Sequence, residues 1–187
     1  WIHETHTPHY PPHDSMAKYT HLNEQEQVYA AVVDGADQRI GKILNLLDEL
    51  DLAENTLIVF SSDNGPEVTG SKDRNFHHKD PDGKVEGIDP LGTYFSVGVT
   101  AGLRGQKRDT YEGGLRVPFL VRWPTSVPAG RVDTESVVTA VDLLPTFAQV
   151  AGAKLPPNYQ SDGQSILSLL KGGTLTREKP LSWQWQY

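Results

Sequence analysis

The chain has 187 residues with 17 Lys and Arg against 24 Asp and Glu, a net charge of −7, and so lacks the basic footprint with which a nucleic-acid binder pairs with phosphates. Hydrophobic residues at 37% and charged ones at 22% are enough to bury a core and exclude a disordered tail. No apolar run approaches the roughly 18 residues of a membrane span, and the absence of cysteine excludes disulfides, thiolate catalysis and Cys-type zinc sites.

Trp1-Ile2-His3 has the character of a strand already under way. Five of the seven histidines then lie within the first 21 residues. Pro8, Pro11 and Pro12 break any continuous helix there, so the imidazoles cannot line one helical face as in H-E-x-x-H sites. Asn23 followed by Glu26 has the form of an N-terminal cap. Apolar residues recur at Val28, Ala31, Val32, Ala36, Ile40, Ile43, Leu44, Leu47 and Leu50, in steps that predict one face of a long amphipathic helix. The β-branched run Thr56 to Ser61 predicts a strand covered on both faces of a parallel sheet.

From Gly65 to Arg104 no periodicity survives, and residues 70–84 form a polar, turn-rich stretch that is either a functional loop or a solvated insertion. Leu115 to Trp123 predicts a second buried strand, stopped by Pro124. Asp142 to Ala151 predicts a short helix that ends at Gly152. Leu181 to Tyr187 alternates large apolar and polar residues as a half-buried strand does. Both ends read as cut, so a piece of a larger protein is expected. The alternation of helices and strands indicates an α/β layered sheet.

Three segments could carry chemistry. Ser61-Ser62-Asp63-Asn64-Gly65-Pro66 lies past the carboxyl end of a strand, where ligands of α/β sheets bind. Its carboxylate and amide oxygens suit calcium or magnesium, while Asn-Gly reads equally as an ordinary turn. The segment Gly102 to Pro118 places Arg104, Lys107, Arg108 and Arg116 among glycines, fit to hold an anion or to form a solvated hairpin. In the His-rich start most imidazoles are incidental, with room for one acid/base or anion-contacting group.

The order of motifs is more specific than any one of them. H-T-P at His6 to Pro8, the long helix, T-L-I-V-F-S-S-D-N-G, G-Q-K-R-D-T-Y-E-G-G-L-R-V-P-F-L-V-R-W-P, V-D-L-L-P-T-F-A-Q-V-A-G-A and D-G-Q-S-I-L-S-L-L-K-G together resemble the sulfatase family, in particular its arylsulfatase and N-acetylgalactosamine-6-sulfatase branch. The resemblance implies an alkaline-phosphatase-like α/β fold. Residues 1–172 would be the latter part of the catalytic domain and residues 173–187 the start of a C-terminal subdomain strand. It further implies that Asp63 and Asn64 complete a calcium site, that Lys107 contacts the sulfate and the leaving oxygen, and that His6 serves beside it. Glu112, Gly113 and Gly114 would shape a turn, and Asp142 and Pro145 would start a helix. A sulfated small molecule or glycan is the implied partner, and an exported or lysosomal location follows from resemblance alone.

The chain departs from the family in two places. Sulfatases carry a formylglycine made from Cys or Ser in C/S-x-P-x-R. Here the nearest segment, Ser126-Val127-Pro128-Ala129-Gly130-Arg131, puts Arg one residue late. The paired aspartates that share the calcium are also missing, since no Asp-Asp dipeptide occurs. The expectation is a sulfatase whose 187 residues do not act alone. Two rivals remain: a phosphatase or phosphodiesterase on the same fold, and a non-catalytic remnant that grips sulfated glycans through Lys72, Arg74, His77, His78 and Lys79.

Overall fold

Twenty-six residues, Glu24–Glu49, form one helix (α2) because its start is capped and its apolar side chains return every third or fourth position. In a computed structural model that describes residues 2–7, 9–11, 13–67 and 96–184, the Asn23 side chain accepts from the Glu26 N–H at 3.1 Å. A cap of this kind stabilises a helix by about 1 kcal/mol. The helix ends at Leu50, after which Asp51 turns into the left-handed region at φ 55°.

The chain divides into two compact units, residues 1–50 with 62–118 and residues 51–61 with 119–186. In the first, Val28, Ala31, Val32 and Ala36 are buried. A short helix (α1, His13–Met16) and the 3-10 turn Ala17–Tyr19 pack on α2. Gln27 Nε2 donates to the Met16 carbonyl at 2.8 Å, and Lys18 pairs with Asp34 at 2.9 Å. The expected apolar stripe is covered only in its first half. Ile43 and Leu50 are exposed, while Ile40, Leu44 and Leu47 are half-buried.

In the second unit the strand predicted at residues 56–61 forms as β1 (Ile58–Ser61), but its partner runs antiparallel. It pairs with β2 (Phe119–Arg122) in the register Ile58↔Arg122 to Ser61↔Phe119. The faces are unequal, contrary to the reading of a doubly covered parallel strand. Phe60 and Leu120 face each other across the pair and are exposed, while Phe119 and Val121 pack toward Ile166, Leu169 and Leu170. Antiparallel pairs tolerate one uncovered face, and the apolar run hid this asymmetry.

The strand predicted to begin at Leu115 starts four residues later. Glu112–Leu115 is instead a single helical turn (α3) in the first unit, since Gly113 and Gly114 allow tight backbone contacts that a strand would not make.

The helix predicted at 142–151 is confirmed as α4 (Leu143–Val150), entered through the 3-10 turn Ala140–Asp142 and closed by Gly152 at φ +65°. Leu167–Leu170 forms α5. Asp142, fully buried, organises this unit. Its Oδ1 accepts from the Gln164 N–H and Arg177 Nη1, each at 3.0 Å, and its Oδ2 from the Thr139 N–H at 3.0 Å and Arg177 Nη2 at 2.8 Å. Residues 181–184 are irregular, and residues 185–187 of the expected terminal strand lie outside the described residues. Among the described residues no helix is long and apolar enough to cross a membrane.

Candidate functional site

The turn after β1 and the basic loop meet within the first unit. The Gly65 N–H donates to the Gly114 carbonyl at 2.8 Å, and the Lys107 N–H donates to the Pro66 carbonyl at 3.0 Å. Glycine is required at this junction. A Cβ on Gly65 would stand 1.8 Å from the Gly113 carbonyl oxygen, one on Gly113 would stand 2.1 Å from that of Gly105, and one on Gly114 would stand 2.2 Å from that of Asp109. The S-D-N-G and Y-E-G-G motifs are thus two halves of one interlock, which explains why each has glycine where it does.

The loop carrying Lys107 is closed on itself. The Gly113 N–H donates to the Arg104 carbonyl at 2.7 Å, the Asp109 N–H to that of Gln106 at 2.9 Å, and Asp109 Oδ2 accepts from the Gln106 N–H at 2.9 Å. The Arg104 guanidinium lies 3.8 Å from the centre of the Tyr111 ring, a cation–π contact that braces the loop's two sides.

Asp63 and Asn64 lie in the turn whose next two residues, Gly65 and Pro66, bond to Gly114 and Lys107. Asp63 is exposed and Asn64 half-buried. Asn64 Nδ2 donates to the Gly65 carbonyl at 2.8 Å, which leaves Oδ1 as its oxygen donor. Two hard oxygens do not make a calcium shell, which takes six to eight. Among the described residues no group of three or more His, Asp or Glu side chains gathers for a metal. Glu67, the next carboxylate along the chain, is committed elsewhere. Its Oε1 pairs with Arg108 Nη1 in a short contact, and its Oε2 lies 3.6 Å from Lys107 Nζ.

Glu67 was missed by sequence reasoning. Its position right after S-D-N-G-P was a signal, but its cations lie about forty residues downstream. Burial pushes the Glu67 carboxyl up, and the hydrogen bond and charge of Arg108 with the charge of Lys107 outweigh it, so the group lies below the ordinary glutamate value.

His6 is not brought into direct contact with these groups among the described residues. It is exposed, its Nδ1 lies 2.5 Å from the Thr7 carbonyl, and its ring meets His3 edge-on at 6.2 Å. The buried imidazole of the segment is His9, 2% exposed and edge-on to Tyr29 at 5.7 Å. Burial pushes the Tyr29 hydroxyl up, keeping it protonated. A Cβ on Gly98 would meet both that hydroxyl, at 3.0 Å, and Pro66 Cβ, at 2.6 Å. Contacts thus run from His9 through Tyr29 and Gly98 to the turn that receives the Lys107 N–H. The basic residues proposed to grip glycans, Lys72 to Lys79, lie outside the described residues.

The family model described as Sulfatase matches residues 2–153. Human steryl-sulfatase is 37% identical over 148 residues, covering 79% of this chain and 22% of that protein. The N-acetylgalactosamine-6-O-sulfatase of Bacteroides thetaiotaomicron is 32% identical over 166 residues, covering 88% of this chain and 28% of its own length. Among solved structures, Ps i-CgsB in complex with k-i-k-neocarrahexaose superposes at TM-score 0.70 and 33% identity, over 90% of this chain and 32% of that one. The chain spans only about a fifth to a third of the length of these relatives. Its architecture is accordingly part of the alkaline-phosphatase-like α/β fold. A family match over most of the sequence, on the same motifs that the Gly65–Gly114 interlock brings together, establishes that the chain belongs to the sulfatase family.

Proposed function

We propose that the full-length protein carrying this chain is a sulfuric ester hydrolase, and that Lys107 and His6 act at the sulfate while Asp63 and Asn64 contribute two oxygens to a calcium ion completed from outside the chain. The observation that carries this reading is the Lys107 N–H bond to Pro66, which holds the ammonium-bearing loop beside the Asp63–Asn64 turn. Displacement at sulfur breaks the bond to the leaving alcohol and puts negative charge on that oxygen. A fixed ammonium stabilises this charge where it develops. An imidazolium donates the proton that the departing alcohol takes up. His6 is the imidazole implied by the motif, and His9, buried and edge-on to Tyr29, is the second imidazole of the segment to be compared with it.

The relative named N-acetylgalactosamine-6-O-sulfatase and the neighbour solved with k-i-k-neocarrahexaose support a sulfated carbohydrate as substrate, and the steryl-sulfatase relative supports a steryl sulfate. The division into residues 1–172 and 173–187 stands as part of this proposal.

Turnover of an aryl sulfate tests the reading. In the full-length protein Lys107→Ala is expected to lower kcat by roughly 10²–10³-fold, the usual loss for a transition-state charge donor, and unchanged turnover would sink it. His6→Ala and His9→Ala, compared side by side, identify the proton donor. A phosphate monoester turned over faster than the sulfate would favour a phosphatase instead. The isolated 187 residues, lacking a C/S-x-P-x-R nucleophile, are expected to give no turnover above background.

A further inference from the structure

We propose that Glu67 is the positioning residue for the Lys107 ammonium, and that Arg108 sets how firmly Glu67 holds it. The inference rests on reading Lys107 as the sulfate-contacting cation. The two oxygens of Glu67 are divided between two cations, and unequally. Arg108 takes Oε1 in direct contact, whereas Lys107 Nζ stays 3.6 Å from Oε2, within reach of the charge but beyond an ordinary hydrogen bond. The Lys107 and Glu67 side chains are only 19% and 21% exposed, while that of Arg108 is 56% exposed.

The backbone marks Arg108 as deliberate. It sits at φ 76°, in the left-handed region that disfavours any residue with a Cβ. Glycine would be easier there, and what the strained arginine supplies is a guanidinium turned back onto Glu67. Charge arithmetic gives the consequence. Glu67 with Lys107 alone would form a neutral pair, in which an incoming sulfate must compete with the carboxylate. With Arg108 added the cluster carries one net positive charge, and Lys107 is oriented without being captured.

The two residues therefore predict opposite kinetic signatures in the full-length protein. Glu67→Gln frees Lys107 from its anchor, so kcat on an aryl sulfate is expected to fall roughly ten-fold, the scale of a misplaced catalytic group, with KM unchanged or lower. Arg108→Gly hands Glu67 wholly to Lys107, so KM is expected to rise roughly two- to five-fold, the strength of a partly exposed competing ion pair, with kcat held. Arg108→Lys is expected to keep KM near the parent value. In the double variant the KM rise from Arg108→Gly is expected to vanish, because no carboxylate remains to capture Lys107.

An equal KM rise in both backgrounds, or an unchanged kcat in Glu67→Gln, overturns the proposal. Thermal melting separates misfolding from mispositioning. Should Glu67→Gln fail to fold, the Arg108→Gly and Arg108→Lys pair carries the test, since Arg108→Gly relieves the left-handed backbone and Arg108→Lys leaves that backbone as it is in the parent. Lys107→Ala distinguishes the levels. Full turnover in that variant overturns the sulfatase reading and this inference together, whereas loss of turnover with independent Glu67 and Arg108 effects overturns this inference alone.

Discussion

Two carboxylates in this chain hold cations by opposite means. Asp142, in the second unit, is fully buried, and its two oxygens accept four hydrogen bonds, two of them from one guanidinium. That fills the acceptor capacity of a carboxylate. Glu67, in the first unit, is partly exposed and splits its oxygens between two cations, one in contact and one held at 3.6 Å. A saturated carboxylate has nothing left to offer a ligand and acts as a structural clasp. An unsaturated one leaves a cation available, and this is the arrangement found beside the candidate site.

The largest effect that would break this contrast is on stability. Asp142→Ala leaves Arg177 without its counter-charge and strands the Thr139 and Gln164 N–H groups, so a loss of about 3–5 kcal/mol is expected from the shift in a denaturant midpoint. A loss below about 1 kcal/mol would place Asp142 in the same class as Glu67.

The acid limb comes next. Burial raises the Asp142 carboxyl, but the hydrogen bonds from Arg177, Gln164 and Thr139 outweigh it, and its folded value lies below the ordinary aspartate value. A depressed carboxyl contributes stability that is present above the ordinary value and lost as pH falls through the folded one. Melting temperature followed downward from about pH 4 should therefore fall less steeply in Asp142→Asn than in the parent. Equal slopes would remove Asp142 from the acid response.

The smallest effect sharpens the contrast. Glu67→Ala should change stability by less than about 1 kcal/mol, as expected for partly exposed ion pairs, while still reducing turnover. A variant that loses stability and activity in proportion would make Glu67 a second clasp.

What could be read from the sequence depended on how far along the chain each interaction reaches. The α2 helix was legible from Asn23 to Leu50, because its cap bridges three residues and its periodicity is local. So was α4 with its Gly152 stop. Asp63, Asn64 and Lys107 were named from motif order, and the interlock at Gly65 and Gly114 shows that the motifs around them meet.

Local pattern alone did not reveal the antiparallel register that leaves Phe60 and Leu120 uncovered. Nor did it reveal the clasp from Arg177 to Asp142 across thirty-five residues, or Glu67 meeting Arg108 across forty-one. The sequence by itself determined the two periodic helices α2 and α4, the strand run at Ile58–Ser61 and the residue types that flank the turns, since propensity, capping and periodicity act within a few residues. Only the tertiary structure decided which strand face is covered, which histidine is buried and which cation each carboxylate holds. Those outcomes depend on chain closure that brings distant groups together, and on burial that sets the strength of each charge contact.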